Sequence, residues 1–244
     1  MNRLRGLSPM WFFALAILVA ACGGPKAKLV VIPTASGDAD GPAPVRAEFL
    51  EPWTRRGVAS AGLLHTRSRA KADEPEFARP LEDATGVWFS GGDQSRVTEV
   101  YLGTAVERGL RRVLDRGGVI GGTSAGAAIM SRVMITGGQG KATVGTGFGF
   151  LPGVVVDQHA LRRNRINRLL GVLAEHPDLT GVAVDEATAL VVREGRWRVV
   201  GNAYVVFCRS SVNGQPMRLD VFHDGDEGNL DAWTMRPSSA GSRR

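Results

Sequence analysis

The sequence predicts an α/β protein: a doubly wound, mostly parallel sheet followed by antiparallel β-hairpins. Three observations predict it. Short runs that are apolar on both faces recur at Lys28–Pro33, Gly86–Ser90, Val119–Ile120, Val154–Val156 and Val182–Val184, as the central strands of a parallel sheet require. Segments with helical spacing separate most of them, the alternation of a doubly wound sheet. After Val184 the helices stop, and short β-prone runs follow around a Glu194-Gly195 turn.

Taken in order, Arg3 and Arg5 precede an unbroken apolar run, Trp11–Ala21, that ends at Cys22-Gly-Gly. The run is short for a bilayer span and suits the core of an export signal. Val19-Ala20-Ala21-Cys22 resembles a bacterial lipobox, which makes residues 1–21 a lipoprotein signal peptide and Cys22 the lipidated, membrane-tethering residue of an exported protein. The alternative is a degenerate first helix of the domain and a cytoplasmic protein. Lys28–Pro33 is a strand, Thr34–Pro44 a loop, and Val45–Arg56 a helix stopped by Gly57. Ala59–Leu64 and Gly86–Ser90 are strands. A helix from Ser95 to about Arg116 is weakened at Gly103 and Gly109. Gly137–Gly149 reads as a mobile glycine-rich loop, and Leu161–Glu175 as a helix with Ile166, Leu169, Leu170 and Leu173 on its apolar face. Ala189–Val192, Trp197–Val200 and Val205–Phe207 are hairpin strands, and Met217–Phe222 adds an edge strand. One domain is expected over residues 26–236, with a disordered tail at 237–244.

Composition narrows the function. Of 244 residues, 43% are hydrophobic and 22% charged, the balance of an ordinary globular domain. The net charge of +6 is spread over many scattered arginines, with no dense basic block or aromatic-basic repeat, so no nucleic acid is expected. Two cysteines, Cys22 and Cys208, and four dispersed histidines do not make a metal site, and no cofactor is expected.

The chemistry centres on Gly122-Thr-Ser124-Ala-Gly126, a G-x-S-x-G pattern between the strand Val119–Ile120 and a following helix. Glycines flank the serine because a strained strand-to-helix turn has no room for side chains, and the strain lifts the hydroxyl clear of the sheet. The other reading is a tightly packed glycine turn without chemistry. The amide of Ala125 is the first oxyanion donor, and Gly91 or Gly92, after another strand, the second. A serine needs a base, and the base needs an acid to orient it. His159 ends a strand beside polar neighbours and is the favoured base; Glu186 is the favoured acid, with Asp185 adjacent. Gly91–Gln94, Ser124, Asp157–His159 and Asp185–Glu186 all follow apolar strands, so they are expected along one edge of one sheet.

Phe89-Ser-Gly-Gly-Asp-Gln94, Gly122–Ser131, Asp157-Gln-His159 with Arg163, Arg165 and Arg168, and Val184-Asp-Glu-Ala-Thr-Ala-Leu190 together resemble the cyanophycinase family of serine peptidases, to which bacterial aspartyl dipeptidase is related. The resemblance runs from about Lys28 to Phe207. It implies a flavodoxin-like fold related to class I glutamine amidotransferases, and cleavage of peptide bonds next to aspartyl residues. It implies Ser124 as nucleophile, His159 as base and Glu186 as third member, to which the amides of Ala125 and Gly92 add the oxyanion donors read from the turns. Gln94, Asp157, Arg163, Arg165 and Arg168 would surround an aspartyl-containing peptide substrate such as cyanophycin, and a homodimer is left open. Two departures stand out: Ala160 replaces the usual phenylalanine and could open the pocket beside His159, and the apolar run takes the place of the family's first helix. An α/β-hydrolase esterase using Ser124, Asp185 and His223, and a binding protein that has lost activity, are the competing readings.

Overall fold

The computed structural model describes residues 10–211 and 216–233 of the protein, and the tail expected to be disordered lies outside them. The chain divides into two compact units. The first holds the residues up to Gly138 together with Thr143–Pro152; the second holds Gln139–Ala142 and the residues from Gly153 onward.

The first unit contains helix α1 (Met10–Ala21) and strands β1 (Lys28–Ile32), β2 (Ser60–Leu63), β3 (Gly86–Phe89) and β4 (Val119–Gly122). The strands form one parallel sheet in the order β2-β1-β3-β4. This is a doubly wound order, with its switch point between β1 and β3. Alternation along β1 and β3 creates a core on each face. Val30, Ile32, Val87 and Phe89 face one core, and Leu29, Val31 and Trp88 the other. Short helices α2 (Ala43–Ala47), α3 (Glu51–Thr54), α4 (Arg69–Asp73) and α5 (Pro75–Ala78) connect the early strands. The helix expected over Val45–Arg56 is therefore broken in two.

The helix expected from Ser95 to Arg116 is also two, α6 (Gln94–Tyr101) and α7 (Ala105–Asp115). The break falls at Gly103, whose φ of +79° no helix accepts. The turn after β4 leads into α8 (Ala125–Ala128), a single turn of helix. The glycine-rich stretch expected to be a mobile loop contributes strands to the antiparallel pair β5 (Val133–Gly137) and β6 (Thr143–Thr146).

The apolar N-terminal run packs as a member of the first unit. Leu15, Leu18, Val19 and Cys22 share a core with Leu29, Val31, Trp53 and Trp88. Cys22 is 6% exposed, and burial raises the pKa of its thiol. This packing and a lipid on Cys22 exclude each other, because the sulfur abuts Gly86. Among the described residues no helix is long and apolar enough to cross a membrane.

The second unit holds β7 (Val154–Gln158), α9 (Ile166–Glu175), β8 (Thr180–Val184), β9 (Thr188–Arg193), β10 (Arg196–Gly201), β11 (Val205–Arg209), β12 (Arg218–Phe222) and β13 (Glu227–Asn229). One sheet has the order β12-β11-β8-β7, with β7 and β8 parallel and the rest antiparallel, and a second has the order β13-β10-β9. The C-terminal hairpins thus appear as expected. Helix α9 starts at Ile166 and not Leu161, because Asn164 takes φ +50° and a turn fills residues 160–164. Trp197, Phe207, Phe222 and Trp233 form an aromatic cluster. The strand ends singled out in the sequence are therefore shared between two sheets: Gly91–Gln94 and Ser124 follow β3 and β4, whereas Asp157–His159 and Asp185–Glu186 end or follow β7 and β8.

Candidate active site

Ser124 takes φ +51°, ψ −109°, a backbone conformation that costs a non-glycine residue about 1–3 kcal/mol. The turn holds it there because its neighbours have no alternative. A methyl group on Gly122 would lie 2.5 Å from the backbone of Gly126, and one on Gly126 would lie 2.5 Å from the Phe89 carbonyl. The turn closes with Thr123 N–H donating to Phe89 O (3.1 Å) and Gly126 N–H to Thr123 O (2.8 Å).

The loop after β3 lies against this turn: a Cβ on Gly91 would stand 3.5 Å from the Ser124 Cβ. Gly92 has φ +139°, and a methyl there would overlap the Ala35 carbonyl at 2.1 Å. Among the described residues the amides of Gly92 and Ala125 donate to no protein acceptor. Helix α8 has only one turn, too short for an appreciable dipole at Ser124. Gln94, expected at the substrate, is buried, and its side-chain NH₂ donates to the carbonyls of Ile135 (2.7 Å) and Thr136 (3.2 Å). It ties α6 to β5.

His159 ends the β7 ladder by donating its amide to Val184 O at 2.9 Å, and then turns with φ +56°. Its Nδ1 lies 3.3 Å from Glu186 Oε1. Burial lowers the pKa of the imidazole from its ordinary value, and the positive charge of Arg163 lowers it further, against an opposing pull from Glu186. Asp185 accepts the Arg162 amide at 3.1 Å. His223 is exposed and 3.3 Å from Asp226. The two partners that an esterase relay would need are each engaged elsewhere.

Asp157 is fully buried and takes a two-pronged ion pair from Arg168, with Nε–Oδ2 at 2.8 Å and Nη2 on Oδ1. Asp157 Oδ1 also accepts the Gln158 amide at 2.8 Å. Arg165 donates to Gln158 O (3.3 Å) and to Gln158 Oε1 (3.2 Å), and its Nε is buried without a hydrogen-bond partner. Arg163 is exposed. Ala160, expected to open space beside His159, is 0% exposed, so its methyl group is fully enclosed. Glu186 is steadied from behind. Ala187 has φ +59° and its carbonyl accepts Asn202 N–H at 2.9 Å, while Gly201 leaves room for that carbonyl where a methyl would overlap it at 2.1 Å.

The structure thus groups Ser124 with Gly91 in the first unit, and His159 with Glu186, and Asp157 with Arg168, in the second. Sequence reasoning missed a network around Arg67, which reaches Thr34, Ser36 and Asp40. The one hint was a histidine, His65, at the end of an apolar strand. Among the described residues no group of three or more His, Cys, Asp or Glu side chains is placed to hold a metal.

Comparison with known proteins places these features in a family. The profile of peptidase family S51 matches residues 10–200. A cyanophycinase of Trichormus variabilis is 36% identical over 193 residues, covering 75% of this chain. The match spans 63% of the length of that cyanophycinase. A cyanophycinase of Synechococcus elongatus is 35% identical over 242 residues, covering 88% of this chain and 74% of its own. A crystal structure of a peptidase from an acI-B1 Actinobacterium superposes with a TM-score of 0.67 at 26% identity, covering 91% of each chain.

Proposed function

The chain belongs to peptidase family S51, a family of serine-type peptidases, and from that premise we propose that it hydrolyses peptide bonds adjacent to aspartyl residues, in a cyanophycin-like substrate. The observation that carries the proposal is Ser124, held at φ +51° beside Gly91 and next to the undonated amide of Ala125. A serine in such a turn presents its oxygen to a carbonyl carbon with a donor ready for the oxyanion.

In the proposed reaction Ser124 Oγ attacks the carbonyl carbon as His159 takes its proton. Glu186 beside Nδ1 sets the tautomer, which leaves Nε2 to accept that proton and stabilises the imidazolium. The amides of Ala125 and Gly92 hold the oxyanion. Collapse breaks the C–N bond, and the leaving amine carries away the proton from His159. Water, deprotonated by His159, then hydrolyses the acyl-enzyme and restores the serine. The depressed pKa of His159 keeps the imidazole neutral near pH 7, as a base must be. Arg163 and Arg165 supply positive charge for a substrate carboxylate. Arg168 holds Asp157 instead of meeting substrate.

The test is incubation with a β-Asp-Arg polymer and a panel of aspartyl dipeptides, with products read by mass spectrometry. Ser124→Ala should abolish turnover, by at least about 10³-fold, and labelling by a fluorophosphonate, without loss of fold. Unchanged hydrolysis in that variant would eliminate the proposal.

A further inference from the structure

A hydroxyl–imidazole–carboxylate chain, buried at Thr34 and exposed at Asp40, lies at the switch point of the parallel sheet. Thr34, just past β1, is 0% exposed, and its Oγ1 lies 2.9 Å from His65 Nδ1 and 2.7 Å from the Tyr101 hydroxyl. His65 Nε2 is 3.0 Å from Asp40 Oδ1. Thr66 N–H donates to the Tyr101 oxygen at 3.2 Å. Hydrogen bonds from Arg67, and then from His65, hold the Asp40 carboxyl down at about 2, so it is an acceptor at neutral pH. The contacts form one continuous chain, from Asp40 to His65 Nε2, from His65 Nδ1 to Thr34, and from Thr34 to Tyr101. Full burial of Thr34 rules out a second nucleophile.

Arg67 closes the network. Its guanidinium donates through Nε and Nη2 to Asp40 Oδ2 (2.9 and 2.8 Å), through Nη1 to Thr34 O, and through Nη2 to Ser36 O (2.8 Å). One planar fork therefore grips the backbone on both sides of Ala35. Ala35 is the residue whose carbonyl accepts Asp93 N–H at 2.9 Å and fills the space that a side chain on Gly92 would need. Residues 34–36 are thus the wall against which Gly92 rests, and Arg67 fixes the wall.

We infer that Arg67, braced by Asp40, His65 and Thr34, is a positioning residue for the oxyanion amide of Gly92. This inference rests on the serine-peptidase reading above. An amide that stabilises charge only in the transition state must be held to within about 0.5 Å, and loosening it lowers kcat and leaves KM unchanged. Lysine cannot replace the fork, because a point cation does not span two carbonyls and a carboxylate.

The experiment measures kcat, KM, inhibition by a peptide aldehyde, the rate of fluorophosphonate labelling at Ser124 and the unfolding midpoint. The variants are Arg67→Lys, Arg67→Gln and Asp40→Asn, with Arg79→Gln as a surface control. Both Arg67 variants should lose roughly tenfold or more in kcat and in labelling rate, with KM within twofold. Aldehyde binding should weaken in step, since its adduct carries the oxyanion. Asp40→Asn should lose about threefold, and it decides the matter by the same criteria if neither Arg67 variant folds. A folded Arg67 variant with kcat within twofold of the parent, or a loss confined to KM, overturns the inference alone. A parent that neither turns over nor labels at Ser124 removes the peptidase reading, and the inference with it.

Discussion

Ser124 and His159 each follow a strand of a parallel pair, and each takes φ near +50° (51° and 56°), yet different forces hold the two turns. The Ser124 turn is kept by exclusion. Gly122 and Gly126 meet backbone at 2.5 Å where any side chain would begin, so the chain has no other route. The His159 turn is kept by charge. The buried pair of Asp157 and Arg168, and Arg165 on Gln158, grip the residues on either side of it. A turn held by packing resists pH and salt but tolerates no added atom. A turn held by a buried ion pair tolerates some change of shape but not the loss of one partner.

The largest effect should come from breaking the charged turn. Arg168→Ala or Asp157→Ala removes one partner of the buried ion pair and should cost about 3–5 kcal/mol by denaturant unfolding. The double variant Asp157→Leu/Arg168→Met should cost less than either single change. If the double variant loses as much as the singles combined, shape and not charge holds this turn. Next is Gly126→Ala, whose methyl would press on Phe89 O; about 1–3 kcal/mol should be lost, with no dependence on salt. Ser124→Gly should move the other way, gaining about 1 kcal/mol as backbone strain is relieved, with turnover gone.

The smallest effect sharpens the electrostatic side. Burial and Arg163 both disfavour the imidazolium of His159, so the acid limb of kcat/KM should lie below 6.5. Activity falls as pH drops through that limb, because the protonated ring cannot accept the serine proton. Arg163→Gln removes a positive neighbour and should move the limb to higher pH by less than about one unit, while Glu186→Gln should move it lower. A limb that stays in place in Arg163→Gln would show that Arg163 contributes nothing to the depressed value.

The parallel strands were legible in sequence because β1, β3, β7 and β8 are apolar on both faces, a pattern that half-exposed helices do not produce. Glu186 and His159 were legible as polar residues at strand ends. The boundaries of α9 were not, because its apolar spacing extends back through Leu161 while the chain there turns at Asn164. The β5–β6 pair hid behind its glycines. Gly147 is needed for contact and not for mobility, since a methyl there would lie 2.1 Å from Ser131 O. The Arg67 network left no spacing to read, because its partners, one carboxylate and two backbone carbonyls, lie 27 to 33 residues away in the chain. In the same way Gln94 carries a family motif, but its amide points into β5.

If a protease of the export pathway cut before Cys22, the departing peptide would take Leu15, Leu18 and Val19 with it, and Leu29, Trp53 and Trp88 would lose the cover they now share. The same dozen residues cannot be both an address label that is torn off and a plank of the finished floor.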